Sequence, residues 1–140
     1  MRLSTRNQFA GTVISVASGE AMSAVTVRLA SGQEVTSAIT TDSARDLALT
    51  QGMAVRALVK STEVAVATGA VDGLSIRNRL PGVVRSVNSG TAMSTVKIET
   101  RSGDTITAAI TRDAAEELKL EPGAEVTALV KATEVSLAVD

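Results

Sequence analysis

The chain consists of two copies of one sequence. Positions 2–69 align with positions 73–140 at an offset of 71 residues without a gap, and 34 of the 68 aligned pairs are identical. Half identity over such a length indicates a duplication, which constrains the fold before any single element is assigned. We therefore predict two tandem domains, at 1–69 and 74–140, joined by a linker at 70–73.

Each copy has the pattern of a small β-rich domain. Alternating apolar residues on both sides of Ser31-Gly32 indicate a hairpin, and a short helical stretch follows it. Five short strands with a helix between the third and the fourth are typical of an OB-type Greek-key barrel. The predicted fold class is mostly β, with two tandem OB-fold-like five-stranded Greek-key barrels and one short helix in each. For the first copy we predict strands at 11–16, 25–29, 35–39, 55–59 and 63–66, and a helix capped by Thr41 or Asp42 and followed by Gly52.

A domain of this size has little apolar surface to bury. The whole chain contains a single aromatic residue, Phe9. Small domains bury a small fraction of their surface and often need a partner for stability. We therefore expect a homo-oligomer that forms through exposed Val, Ile and Leu side chains on the strand faces.

The composition excludes several classes of chemistry. The chain has no Cys and no His, so it has no thiol nucleophile, no imidazole base and no ordinary zinc ligands. An acid–base mechanism would depend on Asp42, Glu63 or their copies, and these carboxylates have simpler structural explanations. We predict that the protein is not an enzyme, uses no cofactor and holds no metal cation.

Charge and hydropathy limit the partners. Lys and Arg number 14 against 15 for Asp and Glu, and the chain has no Trp or Tyr on which bases could stack. The N-terminal sequence becomes polar too early for a signal peptide, and no apolar run approaches the ~20 residues that span a bilayer. We expect a cytoplasmic protein that binds neither nucleic acid nor membrane.

The polar residues that both copies retain are mostly hydrogen-bond donors. Hydroxyl, guanidinium and ammonium groups that converge without carboxylates suit a ligand that is negative and only accepts hydrogen bonds, such as a tetrahedral dianion. The retained pairs include Ser4/Ser75, Arg6/Arg77, Asn7/Asn78, Ser23/Ser94, Thr40/Thr111, Lys60/Lys131, Thr62/Thr133 and, with a carboxylate, Asp42/Asp113 and Glu63/Glu134.

Taken singly, each of these residues has an ordinary explanation. A Ser-x-Arg-Asn segment at the start of a strand is commonly a solvated surface. Lys60 can protect an edge strand from aggregation, and Met22 and Met93 can fill core or interface space. No single residue decides the function.

The order of the motifs resembles that of a known family. The segment from Ser4 to Gly11, Ser-Thr-Arg-Asn-Gln-Phe-Ala-Gly, resembles the Ser-x-Arg-Asn-x-x-x-Gly opening of the molybdate-binding Mop domains, the molbindins. Ala-Ile-Thr at 38–40 with Ser43, and then Leu-Val-Lys-Ser at 58–61, follow in the same order. The resemblance covers both copies, as in a tandem (di-Mop) molbindin.

This resemblance implies an OB-like barrel that binds molybdate or tungstate at interfaces between domains and subunits. In the family, one domain supplies the Ser-x-Arg segment and a neighbour supplies Thr, Ser and Lys. On this chain the implied first set is Ser4, Arg6, Thr40, Ser43, Lys60 and Ser61, and the second is Ser75, Arg77, Thr111, Lys131 and the backbone around Ala132. A possible additional anion site is implied at Ala21, Met22, Ser23, Ala92, Met93 and Ser94.

The two copies differ at two of the implied donors. Ala114 replaces Ser43, and Ala132 replaces Ser61. The second set is therefore expected to bind more weakly or to rely on main-chain amides.

The functional prediction is intracellular binding and storage of molybdate or tungstate by a homotrimer of tandem chains. Alternatives are a structural or protein-interaction OB module and a nucleic-acid-binding OB module, neither with a selective anion site. A regulatory sensor would need a helix-turn-helix and a transport ATPase would need a phosphate-binding loop, and the sequence contains neither.

Overall fold

The two halves of the sequence form the same series of elements, and the computed structural model describes all residues, 1–140. The first series is β1 Asn7–Ser18, β2 Met22–Leu29, β3 Glu34–Thr40, α1 Thr41–Asp46, β4 Ala54–Val59, a 3-10 turn at Ser61–Glu63 and β5 Ala65–Ala67. The second series is β6 Asn78–Ser89, β7 Met93–Thr100, β8 Thr105–Thr111, α2 Arg112–Glu117, β9 Glu125–Val130, a 3-10 turn at Ala132–Glu134 and β10 Ser136–Ala138.

The predicted fold class is confirmed in its strand content and in the order of its elements. Each series has five strands, with one short helix between the third and the fourth. Several boundaries differ from the prediction. β1 begins at Asn7 rather than at residue 11, β2 begins at Met22 rather than at residue 25, and Glu63 lies in a 3-10 turn rather than in the fifth strand.

Alternation along the strands separates the core from the surface. In β2, Ser23, Val25, Val27 and Leu29 are buried, and the residues between them are exposed or half-buried. This period of two is the pattern of a strand with one face in the core. The branched side chains Val25, Val27, Val96 and Ile98 are completely buried.

The expected oligomer surface of Val, Ile and Leu side chains stays a prediction. The Val and Ile side chains are buried or half-buried, and none is exposed. The exposed large apolar side chains are Met1, Leu3, Met22, Leu74 and Met93.

The compact units of the fold do not coincide with the sequence repeats. The first unit contains residues 1–59 and 131–140, and the second contains 60–130. The strand orders are β10-β4-β1-β2-β3 in one sheet and β5-β9-β6-β7-β8 in the other. The final segment of each repeat therefore completes the sheet formed by the other repeat, a feature absent from the predicted boundaries at 1–69, 70–73 and 74–140.

A buried hydroxyl group helps to close the first sheet into a curl. The Ser37 hydroxyl on β3 donates a hydrogen bond to the Val135 carbonyl oxygen at 2.5 Å, and the Ser37 side chain is completely buried. Val135 directly precedes β10, the strand at the opposite edge of the same sheet. In the second unit Ala108 stands at the equivalent position and is also fully buried, so no side-chain hydroxyl serves there.

A close approach of two strands explains the glycine in the Ser-x-Arg-Asn-x-x-x-Gly segment. A Cβ atom on Gly11 would lie 2.7 Å from Val27 Cγ1 and 2.8 Å from the Arg28 carbonyl oxygen. On Gly82 it would lie 2.9 Å from Thr100 Cα and would overlap the backbone of Glu99. Beyond each glycine the long strand carries a bulge, with a register shift in β1 and another in β6. The glycine is therefore required for strand packing.

We expect Ser37→Ala to lower the free energy of unfolding by about 1–2 kcal/mol, because the buried Val135 carbonyl loses its donor. Thermal or urea unfolding measures the change. Ser15→Ala, at an exposed position of β1, is the matched control and should stay within about 0.5 kcal/mol of the natural chain. Equal stabilities of the two variants would contradict the assignment.

We expect Gly82→Ala to destabilise the fold by about 3 kcal/mol, because the added methyl group overlaps backbone atoms that cannot move independently. Gly90→Ala provides the comparison, since a Cβ there meets only the Met93 carbonyl oxygen, at 3.4 Å. Urea unfolding of both variants tests the prediction, and a Gly82→Ala chain as stable as Gly90→Ala would disprove it.

Candidate functional site

Thr40 joins the end of β3 to the start of α1. Its hydroxyl oxygen accepts a hydrogen bond from the Ser43 backbone N–H at 3.1 Å, and its hydroxyl group donates to Ser43 Oγ at 2.8 Å. The extended backbone of Thr40, with φ −67° and ψ 147°, is the usual conformation of a helix N-cap. The predicted cap at Thr41 or Asp42 was therefore wrong by one or two positions. Ser43 keeps its own hydroxyl proton for an external acceptor.

Thr111 has the same position in the second unit. Its hydroxyl oxygen accepts a hydrogen bond from the Ala114 backbone N–H at 3.1 Å. Ala114 has no side-chain acceptor, so the proton of the Thr111 hydroxyl is not used within the chain. Each helix start thus presents one available hydroxyl proton, from Ser43 in the first unit and from Thr111 in the second.

Lys60 and Lys131 lie at the starts of the two 3-10 turns. Both side chains are exposed, and neither forms an ion pair. Four ion pairs engage other cations of the chain, at Arg28, Arg56, Arg85 and Arg112. The two lysines therefore remain available to an external anion.

The strand exchange regroups the predicted donors. In the first unit β3 contacts the 3-10 turn at 132–134, and in the second unit β8 contacts the 3-10 turn at 61–63. We define a Thr–Lys cluster in each unit by its helix start and its 3-10 turn. The first cluster is Thr40, Ser43, Lys131 and Ala132, and the second is Thr111, Ala114, Lys60 and Ser61.

Grouping the donors by unit divides the two serines between the clusters. Ser43 and Ala132 belong to one cluster, and Ser61 and Ala114 belong to the other. Each cluster therefore has one serine and one alanine, and a weaker second set stays a prediction. The grouping by repeat placed both serines together because the sequence does not reveal which 3-10 turn contacts which third strand.

The Ser-x-Arg segments, 4–6 and 75–77, precede β1 and β6. Ser4, Arg6, Ser75 and Arg77 are exposed and make no hydrogen bond to the Thr–Lys cluster of their own unit. The following residues, Asn7 and Asn78, differ sharply, being only 3% and 4% exposed. The asparagine of the motif therefore belongs to the fold, whereas the serine and the arginine face the solvent.

The serines of the Ala-Met-Ser segments are also buried. Ser23 is 1% exposed, and its hydroxyl lies 2.9 Å from Thr41 Oγ1, which itself donates to the Gly19 carbonyl oxygen. In the second unit the Ser94 hydroxyl lies 2.7 Å from Ser89 Oγ. Ser23 therefore connects β2 to the start of α1, whereas Ser94 connects β7 to β6.

The other residues of these segments support the helix starts. The Ala21 carbonyl oxygen accepts from the Thr41 backbone N–H, and the Ala92 carbonyl oxygen accepts from the Arg112 backbone N–H, both at 2.9 Å. Met22 and Met93 are nearly half exposed. An additional anion site at these segments stays a prediction.

Two grooves occupy equivalent places in the two units. One of about 430 Å³ surrounds Gly11, and one of about 450 Å³ surrounds Gly82. Neither contains a residue of the Thr–Lys clusters or the Ser-x-Arg segments. In the second groove, a hydrogen bond from Arg85 and its positive charge lower the pKa of the Glu99 carboxyl group, and both side chains are exposed.

The structure has no cluster of acidic side chains that could bind a cation. No three Asp or Glu side chains are grouped so that they could hold a metal ion. None of the helices is long and apolar enough to cross a membrane.

Sequence reasoning missed the residue two positions after each Ser-x-Arg arginine. Gln8 and Arg79 occupy this position, and both donate hydrogen bonds to backbone carbonyls of the Ser-x-Arg segment. The two copies have different residues at this position, so a comparison that looks for identical residues does not select it. The property that Gln8 and Arg79 share is a side chain that can donate hydrogen bonds.

Two stretches of the chain, 3–66 and 74–137, match the TOBE domain. The chain belongs to the TOBE-domain family. The tandem match agrees with the duplication, and each matched stretch includes one Ser-x-Arg arginine, Arg6 or Arg77.

Similar proteins share a connection with molybdenum. The molybdenum-pterin-binding protein MopB of Rhodobacter capsulatus is 45% identical over 139 residues, which are 99% of this chain and 52% of that protein. The molybdenum transport protein ModE of Herbaspirillum seropedicae is 39% identical over 140 residues, again 52% of its length. The chain thus spans about half the length of these curated relatives.

A solved structure covers the whole chain. The cytoplasmic molybdate-binding protein ModG, in a crystal form with molybdate bound, matches 100% of both chains with a TM-score of 0.96 and 36% identity. The resemblance to tandem Mop-domain proteins is confirmed by these similarities.

We expect Ser23→Ala to lower the free energy of unfolding by about 1–2 kcal/mol, because Thr41 loses a buried partner. Any anion binding by the natural chain should be retained in Ser23→Ala if Ser23 only supports the fold. Ser136→Ala, an exposed serine of β10, is the control for stability. Fewer bound anions per Ser23→Ala chain, at unchanged stability, would instead place an anion at the Ala-Met-Ser segment.

Proposed function

We propose that this protein binds molybdate or tungstate and stores the anion in the cytoplasm. The observation that carries this proposal is the donor set of the Thr–Lys clusters. Each cluster combines an exposed lysine without an ion pair and a helix-start hydroxyl whose proton is available. The strand that leads into the helix contacts the 3-10 turn that follows the lysine. The names of MopB and ModG, two proteins similar to this chain, support the identity of the anion.

The chemistry of the donor set suits a tetrahedral oxyanion. Such a dianion accepts hydrogen bonds through all its oxygens, and charge-assisted hydrogen bonds are roughly twice as strong as neutral ones. Lys60 and Lys131 supply charge, while Ser43, Ser61 and Thr111 supply hydroxyl donors. We propose that the protein binds its ligand without transforming it, since the cluster residues include no carboxylate or imidazole base to activate a hydroxyl group.

We propose that a homotrimer completes the sites. Within a unit, no hydrogen bond joins the Ser-x-Arg segment to the Thr–Lys cluster, so the Ser-x-Arg segment of one chain is free to complete a cluster of another. Exposed apolar side chains, among them Leu3, Met22 and Met93, can be covered in the assembly. A ligand that binds only the assembled form stabilises it by mass action.

The proposal is tested by calorimetric titration of the chain, stripped of bound anion, with molybdate, tungstate, sulfate and phosphate. We expect tight binding of the first two anions and little heat from the others. Lys60→Ala and Lys131→Ala should each weaken one class of site by about 10–100-fold, as the loss of a charge-assisted hydrogen bond implies.

Lys97→Ala is the matched control, because Lys97 is an exposed lysine of β7 that lies outside both clusters. It should bind like the natural chain. Mass measurement in solution, with and without molybdate, tests the trimer. The absence of heat from molybdate with the stripped natural chain would overturn the storage function and leave a structural or protein-interaction module.

A further inference from the structure

The backbone of each Ser-x-Arg segment is held by one side chain that follows it. In the first unit, Gln8 Nε2 donates to the Thr5 carbonyl oxygen at 2.9 Å. In the second unit, Arg79 Nε donates to the Ile76 carbonyl oxygen at 3.0 Å, and Arg79 Nη2 donates to the Leu74 carbonyl oxygen. Thr5 and Ile76 are the middle residues of the two segments, so both units hold the same carbonyl group.

The serine and the arginine of each segment lie on either side of the residue that carries this carbonyl group. Residues 4–6 and 75–77 precede the first strand of their unit and have no regular backbone hydrogen bonds. Fixing the backbone of an unrestrained residue costs conformational entropy. A hydrogen bond that fixes the backbone before the ligand arrives removes part of that cost from binding.

In the first unit, the Gln8 side chain accepts a hydrogen bond from Arg56. Arg56 Nη1 donates to Gln8 Oε1 at 3.0 Å, and Arg56 Nη2 donates to Asp140 Oδ1 at 3.0 Å. Arg56 lies opposite Ala10 in the ladder of β1 and β4, on the same face of the sheet as Gln8. A relay of hydrogen bonds therefore runs from Asp140, beyond β10, through Arg56 and Gln8 to the Thr5 carbonyl.

The second unit uses its arginine directly. Thr127 stands where the first unit has Arg56, and Arg79 stands where it has Gln8. Each unit thus has one guanidinium group at these two positions, on β4 in the first unit and on β6 in the second. The carbonyl group of the middle residue therefore accepts a hydrogen bond in both units, from Gln8 in the first and from Arg79 in the second.

We propose that Gln8 and Arg79 are positioning residues, which orient the Ser-x-Arg donors for the oxyanion and do so by a relay in the first unit and directly in the second. This inference rests on the proposed function and adds residues that the family motif does not contain. The two residues act through the backbone of their segment and do not touch the ligand.

Variants of Arg79 in the full chain test the direct arrangement. We expect Arg79→Ala to weaken molybdate binding at the sites that use Ser75 and Arg77 by about tenfold, the scale of one lost preorganising hydrogen bond. Arg79→Gln installs the residue of the first unit, which can still reach the Ile76 carbonyl, and should restore affinity to within about threefold. Arg101→Ala, an exposed arginine whose side chain makes no hydrogen bond, should leave binding unchanged.

A measurement without anion separates positioning from stability. Amide hydrogen exchange at residues 74–77 should become faster in Arg79→Ala and return towards the natural rate in Arg79→Gln, while the thermal unfolding midpoints of the two variants remain close. Unchanged exchange in Arg79→Ala would overturn the inference.

The relay in the first unit is tested by variants that replace its residues with those of the second unit. Arg56→Thr should weaken the sites that use Ser4 and Arg6, and the double variant Gln8→Arg with Arg56→Thr should recover affinity because it reproduces the second unit. Failure of the double variant to recover would contradict the proposal. A natural chain that gives no heat with molybdate would overturn both the proposed function and this inference. Normal binding by Arg79→Ala would overturn the positioning role alone.

Discussion

The pairing of each repeat's last strand with the sheet of the other repeat is the constraint on which the rest of the structure depends. β10 hydrogen-bonds to β4, and β5 hydrogen-bonds to β9. These short strands bring the preceding 3-10 turns with them. The pairing therefore decides which lysine accompanies which helix start, and it supplies the Val135 carbonyl that Ser37 requires.

Much of the fold could be predicted from the sequence because its signals are local. The alternation in β2 and the turn at Ser31-Gly32 indicate a hairpin directly, and the register confirms it with Val27 opposite Val35. The exchange of final strands could not be predicted, since β5 and β10 derive from the same ancestral segment. Local pattern cannot distinguish two partners whose sequences are nearly the same.

Only part of the candidate site could be predicted from the sequence. Comparison of the copies found Thr40, Lys60 and their counterparts, because these residues did not change. It missed Gln8 and Arg79, where the function of the side chain persists although the residue does not. It also assigned the helix cap to Thr41 or Asp42, because Thr40, Thr41 and Asp42 are all suitable cap residues until the backbone conformation of Thr40 is known.

The strand exchange also determines the order in which the chain can fold during synthesis. Residues 60–130 form the second unit as one continuous stretch, so all its strands are available once β9 has left the ribosome. The first unit includes residues 1–59 but lacks an edge strand until β10 is released. Nascent domains commonly fold from the N-terminus onward. Here residues 1–59 are made before the second unit, and the sheet that they form is completed after it.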